Sequence, residues 1–85
     1  MATLYRANGK KSIIKPKGKH FTIGELQDAV GGNIQLIDLH DHYLVVNANG
    51  HLLDLHYNSE ATRLVYQFGY DYVAGDAVYC DKTQI

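Results

Sequence analysis

Three groups of residues have the types and spacing to do chemistry. The first is a set of five histidines, His20, His40, His42, His51 and His56. His40 and His42 flank Asp41, and a meander would carry His42 toward His51, the kind of approach from which imidazoles ligate a metal. No HExxH helix signature accompanies them, and Asp41 is an ordinary turn residue, so histidines on exposed hairpin faces account for the same positions. The second group is nucleophiles. Cys80 is the only cysteine and lies in an apolar stretch, where a thiol behaves as a small hydrophobe. No GxSxG elbow surrounds Ser12 or Ser59, and Asp71 and Asp76 bracket a glycine-containing loop suited to turn formation. No catalytic residue, metal-ligand set or cofactor is assigned from these groups. The expectation is a protein that is not an enzyme.

The third group is basic. Lys15-Pro16-Lys17-Gly18-Lys19 stands just before Thr22-Ile23-Gly24-Glu25, a capping-box sequence that starts a helix. Ammonium groups therefore gather near a helix N-terminus, whose free N–H groups and dipole favour anions. The upstream glycine of a Walker A loop is missing, which argues for holding a phosphate and not for hydrolysing a nucleoside triphosphate. Arg63 is a possible phosphate fork, and Asn47, Asn58 and Thr62 are neutral groups able to read polar edges. The candidate ligand-binding set is thus Lys15, Lys17, Lys19, Asn47, Asn58, Thr62 and Arg63. Asn58 has a competing role as a plain N-cap. Seven tyrosines and two phenylalanines add ring surface, with Tyr66, Phe68, Tyr70 and Tyr72 close together in the chain. Such rings stack on bases or fill interfaces between subunits.

The elements that position these groups follow from pattern. Ala2–Arg6 and Ser12–Lys15 read as strands joined through Asn8-Gly9, a strong hairpin signal. A helix runs from Thr22 to about Val30, with Ile23, Leu26, Ala29 and Val30 on one stripe and Gly31-Gly32 as its stop. Asn33–Leu39, Tyr43–Asn47 and His51–His56 read as a three-stranded meander with turns at Asp41-His42 and Ala48-Asn49-Gly50. Asn58 or Ser59 caps a second helix running through about Phe68, and Ala77–Asp81 is the last strand. The predicted order is ββ-α-βββ-α-β, an α+β domain built on a small antiparallel sheet.

The chain has 85 residues, enough for a single domain over 1–85, and no linker, repeat or low-complexity segment divides it. A lone cysteine excludes an internal disulfide framework, and a core this small is often supplemented by self-association. The net charge of −1 conceals +6 over residues 1–24 and −7 over residues 25–85. That polarity suits a local anion site or head-to-tail contact between subunits, and a solvated Lys-rich hairpin accounts for the basic part equally well. The domain as a whole is not basic, which argues against duplex DNA. No apolar run is long enough to span a membrane and no leader is visible, so the expected location is the cytoplasm.

The ordered motifs Pro16-Lys17-Gly18-Lys19-His20-Phe21-Thr22-Ile23-Gly24-Glu25-Leu26-Gln27, Val30-Gly31-Gly32, Asn47-Ala48-Asn49-Gly50, Asn58 with Ala61-Thr62, and Gly75-Asp76 cover nearly the whole chain. In them the chain resembles a small family of phage, prophage and plasmid proteins known only as a domain of unknown function. Gln35 departs from that family, which often carries an acidic residue there. The resemblance implies a mobile-element origin and no reaction. In size and in its mixture of basic and aromatic residues the chain is also similar to phage proteins that sequester cyclic nucleotide signals of antiphage defence. The expected function is therefore capture, without turnover, of a cyclic nucleotide or other phosphate-bearing small molecule by a homo-oligomer, dimer or tetramer. The alternatives are a protein-interaction module that blocks a host protein through the tyrosine-rich face, and a metal-dependent enzyme using the histidines.

Overall fold

The computed structural model describes residues 2–85. Its order is β1 (Ala2–Tyr5), β2 (Lys11–Ile14), α1 (Ile23–Val30), β3 (Ile34–Asp38), β4 (His42–Asn47), α2 (Ser59–Tyr66) and β5 (Ala77–Asp81), closed by a 3₁₀ turn over Lys82–Gln84. The α+β class is as the sequence indicates. The strands form one antiparallel sheet in the order β2-β1-β5-β4-β3, so β5 is inserted between β1 and β4 and ties the two hairpins together.

Strand alternation sorts the side chains onto two faces. Ala2, Leu4, Val45, Val78 and Cys80 point to the face covered by α1, where they meet Phe21, Leu26 and Val30. Leu44, Val46, Ile37 and Ala77 point to the opposite face and meet Ala61 and Val65 of α2 together with Leu39 and Val73. Each fully buried leucine or valine contributes about 1.5–3 kcal/mol relative to leaving it in water. The two clusters share the central strands β4 and β5, which are therefore the most apolar.

Both helix starts form as the sequence predicts. The Thr22 hydroxyl accepts from the Glu25 N–H, and the Glu25 carboxylate accepts from the Thr22 N–H, completing the capping box. Gly31 ends α1 in the left-handed conformation, φ 80°, where a side chain is disfavoured. The α2 helix stops at Tyr66, two residues before the predicted Phe68: the Phe68 N–H turns back to the Val65 carbonyl, and Gly69 with φ 90° redirects the chain.

The predicted strand His51–His56 does not form. The Leu53 N–H reaches the Asn49 carbonyl, the Asp54 N–H that of His51, and the Leu55 N–H that of Gly50, so the segment coils into consecutive turns. The cause is visible in the residues. Leu52 and Leu53 are adjacent, which breaks a period of two, and Leu52 is left 85% exposed. Gly50 lies so close to the 74–75 backbone that a Cβ there would sit 2.5 Å from the Ala74 carbonyl oxygen. The coil and the 70–74 segment thus press together, joined further on by an isolated Tyr57–Ala74 bridge. Among the described residues no helix is long and apolar enough to cross a membrane.

Candidate functional site

The sheet has two chemically different ends. At the end where β5 finishes, the His20 ring contacts the Thr83 carbonyl at 2.8 Å and the Phe21 N–H donates to the Gln84 carbonyl, which holds the lysine segment against the C-terminal turn. Lys15, Lys17 and Lys19 are exposed there. The anion position at the start of α1 is already filled. The Glu25 carboxylate accepts from the backbone N–H groups of both Thr22 and Lys17, at 2.9 and 3.1 Å. Those hydrogen bonds hold its pKa below the ordinary carboxylate value. The chain's own carboxylate thus takes two of the backbone N–H groups beside this helix start.

Nearby, Lys82 donates to Asp38 at 2.7 Å, and the ammonium stands 5.1 Å from the centroid of the Tyr43 ring. This hydrogen bond, helped by the His40 N–H, lowers the Asp38 pKa, and the same bond raises that of Lys82. His42 contacts Asp81 at 2.9 Å and stacks on Tyr79. Burial pushes the Tyr79 phenol up, and burial pushes the Cys80 thiol up to about 11.

At the opposite end of the sheet a groove of about 400 Å³ opens between the β3–β4 pair, the coil that begins at Gly50, and the 70–74 segment. That volume lies in the range of small-molecule sites. Its floor is Ile37, Val46, Val73 and Ala74, and its walls carry Gln35, His51, Tyr70, Asp71 and Tyr72. The His51 and Tyr72 rings are parallel within 8° with centroids 4.1 Å apart. His51 Nε2 lies 2.9 Å from the Tyr72 carbonyl oxygen. A carbonyl only accepts, so Nε2 carries the hydrogen and Nδ1 of the neutral ring remains an acceptor. The Tyr57 ring is tilted 39° to that of Tyr72 with centroids 5.9 Å apart. The groove is thus an aromatic wall over an apolar floor, with amide, imidazole and carboxylate groups at the rim. Neither a lysine nor an arginine lines it.

Of the predicted ligand set, only Asn47 borders this groove, and the structure gives it an internal task. Its amide donates to the Val30 carbonyl at 3.1 Å and its oxygen accepts from the Asn49 N–H at 2.8 Å, which joins the end of α1 to the turn after β4. Asn58 is 1% exposed. It caps α2 through the Ala61 N–H and donates to the carbonyls of Tyr5 and Gly75. Thr62 is buried and accepts from the Val73 N–H at 2.9 Å, which fastens the groove's back wall to α2. Arg63 is exposed and lies 3.5 Å from Glu60. The set is therefore not gathered at one place in the chain. Three of its members are framework, and the lysines stand at the other end of the sheet, separated from the groove by the length of β5, about 13 Å at the rise of a strand.

The histidines are dispersed as well. His40 packs on Phe68, His42 on Tyr79 and His51 on Tyr72. Among the described residues no three of His, Cys, Asp and Glu converge as metal ligands would. The groove itself was missed as a unit in the sequence. Its signal was present in Tyr70-Asp71-Tyr72, but the pairing with His51 depends on the coil that replaces the expected strand.

No curated protein and no solved structure matches this chain. The motifs that run through the sequence do identify its relatives: a family model described as "Domain of unknown function (DUF3846)" matches residues 3–84, and the chain belongs to that family.

Proposed function

We propose that this is a non-catalytic binding protein of a phage or other mobile element, acting in the host cytoplasm to sequester a cyclic nucleotide signal whose base enters the aromatic groove. The observation that carries the reading is the parallel His51–Tyr72 pair beside Tyr70 at the edge of a cavity of ligand size. A base stacked on such rings gains about 1–3 kcal/mol per contact. Gln35 and the free Nδ1 of His51 then supply donor and acceptor to the base edge. The phosphates project away from the groove, because its one ionised side chain is Asp71. Titration calorimetry with a panel of cyclic nucleotides and their parent nucleosides tests this. Binding of a nucleoside that is weakened in Tyr72→Ala supports it, as does recovery of unaltered ligand after heating. Absence of heat across the panel, or a changed ligand on release, overturns it.

A second reading has its own observation. Six large apolar or aromatic residues between positions 52 and 72 are exposed: Leu52, Leu53, Tyr57, Tyr66, Tyr70 and Tyr72. Clustered surface of this kind marks protein interfaces. On this reading the protein blocks a host protein through that face. Pull-down from host lysate with Tyr70→Ala and Tyr72→Ala proteins separates the two, since loss of a captured partner without any nucleotide binding favours the second.

A further inference from the structure

We infer that two copies of the chain join through β3, pairing antiparallel across a two-fold axis at Leu36 to make one ten-stranded sheet. The inference starts from the two sheet edges, which differ. The β2 edge is guarded: Lys10, Lys11 and Lys15 lie on or beside it and Pro16 follows, the usual means of keeping an edge from pairing. The β3 edge, Ile34-Gln35-Leu36-Ile37-Asp38, carries no lysine and no proline.

The backbone of β3 is also self-complementary. The Asn33 carbonyl accepts from the Ala48 N–H and the Leu39 N–H donates to the His42 carbonyl, at 2.7 and 2.9 Å. With Gln35 opposite Val46 and Ile37 opposite Leu44, alternation assigns the groups of residues 33, 35, 37 and 39 to β4. The N–H and C=O groups of Ile34, Leu36 and Asp38 therefore point outward. A second copy in antiparallel register meets them with the same groups. Leu36 faces the partner's Leu36 as a hydrogen-bonded pair, and Ile34 faces the partner's Asp38.

Charge and packing agree with that register. Asp38 is the only ionised residue of β3, and the register sets the two aspartates at opposite ends of the ladder, so like charges are not opposed. Leu36 is 42% exposed although it neighbours Val45 on the face covered by α1. Cα atoms of a hydrogen-bonded antiparallel pair lie about 5.5 Å apart, which brings the two Leu36 side chains into contact. A β2-to-β3 pairing, by contrast, would be heterologous and run on into open filaments, and it would lay the lysine-guarded edge into a ladder.

The seam also borders the groove. Gln35 and Ile37 line it and alternate with Leu36, so they lie on the opposite face. In the dimer Gln35 stands beside the partner's Ile37, and the two grooves open on one face, side by side across the axis. Each gains a wall that one copy lacks. The dimer itself does not rest on the groove holding a nucleotide.

Sedimentation equilibrium of the full chain over about 1–200 µM tests the pairing, with no ligand present. The expected mass is twice 9.5 kDa at the upper concentrations. Leu36→Pro removes an outward N–H without touching the β4 ladder, and Leu36→Lys supplies the missing edge charge. Both are expected to give the single-copy mass with an unchanged far-ultraviolet dichroism spectrum, while Ile13→Lys on the other edge keeps the double mass. Amide exchange at Leu36 should slow with rising concentration in the unaltered chain, which checks the seam without any substitution. A single-copy mass throughout, open-ended association, or a double mass persisting in folded Leu36→Pro overturns the inference.

Discussion

Asn58→Ala separates a framework role for this residue from a ligand-reading one. The Asn58 side chain makes three hydrogen bonds: Oδ1 accepts from the Ala61 N–H at 3.1 Å, and Nδ2 donates to the Tyr5 and Gly75 carbonyls at 2.8 and 2.9 Å. Losing an N-cap costs about 1 kcal/mol. Each of the other two bonds contributes about 1 kcal/mol, and at 1% exposure water does not replace them easily. The expected loss is about 3 kcal/mol, against a total stability of about 4–13 kcal/mol for a chain of this length. In urea, where small domains have slopes near 1 kcal/mol per molar, the midpoint should fall by about 2–3 M. The thermal midpoint should fall by about 12–24 °C. Asn58→Asp keeps the acceptor for Ala61 but sets a carboxylate against two carbonyls, so it should be at least as damaging. Urea melts followed by far-ultraviolet dichroism give the numbers. A loss under 1 kcal/mol in the alanine variant, together with loss of nucleotide binding, would return Asn58 to the ligand-reading set.

In the groove, His51→Ala or Tyr72→Ala removes one stacking partner at an exposed position, so calorimetric affinity for a bound nucleoside should fall about 5- to 150-fold. The triple change Lys15→Ala, Lys17→Ala, Lys19→Ala should leave that nucleoside affinity unaltered. For Cys80, a pKa of about 11 leaves very little thiolate at pH 8, so Ellman's reagent should react slowly with the native chain and at once in guanidinium; rapid native labelling would contradict its burial. Glu25 has a folded pKa below the ordinary 4.5, so its stabilising contribution is complete above that value and disappears as pH falls through the lowered one. The gap in thermal midpoint between the unaltered chain and Glu25→Gln should therefore be widest above the ordinary 4.5 and close as acidification passes through the lowered pKa. A gap independent of pH would deny the carboxylate its hydrogen bonds to Thr22 and Lys17.

Local signals in this chain were legible wherever a few consecutive residues decide the outcome. Asn8-Gly9, the Thr22–Glu25 capping box, Gly31 and the Asn58 cap all act through bonds within one turn, and each forms as its sequence indicates. The α+β class followed from the same signals. The His51–His56 segment reads as a strand because it follows the turn signal Ala48-Asn49-Gly50, although the adjacent Leu52-Leu53 pair breaks the alternation. Its coil is imposed by Gly50 closing against Ala74, a contact between residues far apart in the chain. The position of β5 between β1 and β4 is equally non-local, and that insertion decides which ends of the sheet the lysines and tyrosines occupy.

The polar residues of the candidate set illustrate how residue type alone leaves a framework role and a ligand role open. Asn47, Asn58 and Thr62 can bind a ligand or backbone with the same atoms, and in a short chain with long connections the backbone claims them first. Each one ties a loop to an element: Asn47 the turn after β4 to α1, Asn58 the 75 loop and β1 to α2, Thr62 the 73 segment to α2. Two of these three ties hold the 73–75 stretch, which is also the back of the groove. The same logic applies to the basic segment, whose nearest helix N-terminus is filled by Glu25. Removing the framework residues from the set leaves exposed lysines at one end of the sheet and a ring-walled groove without cations at the other. In one copy these two surfaces cannot share a ligand. The +6 and −7 halves of the sequence already meet within one copy, where Arg6 lies 3.5 Å from Asp76 and Glu25 accepts from the Lys17 N–H, and a β3 seam leaves both β2 edges outermost, so it does not carry the lysines to the partner's groove.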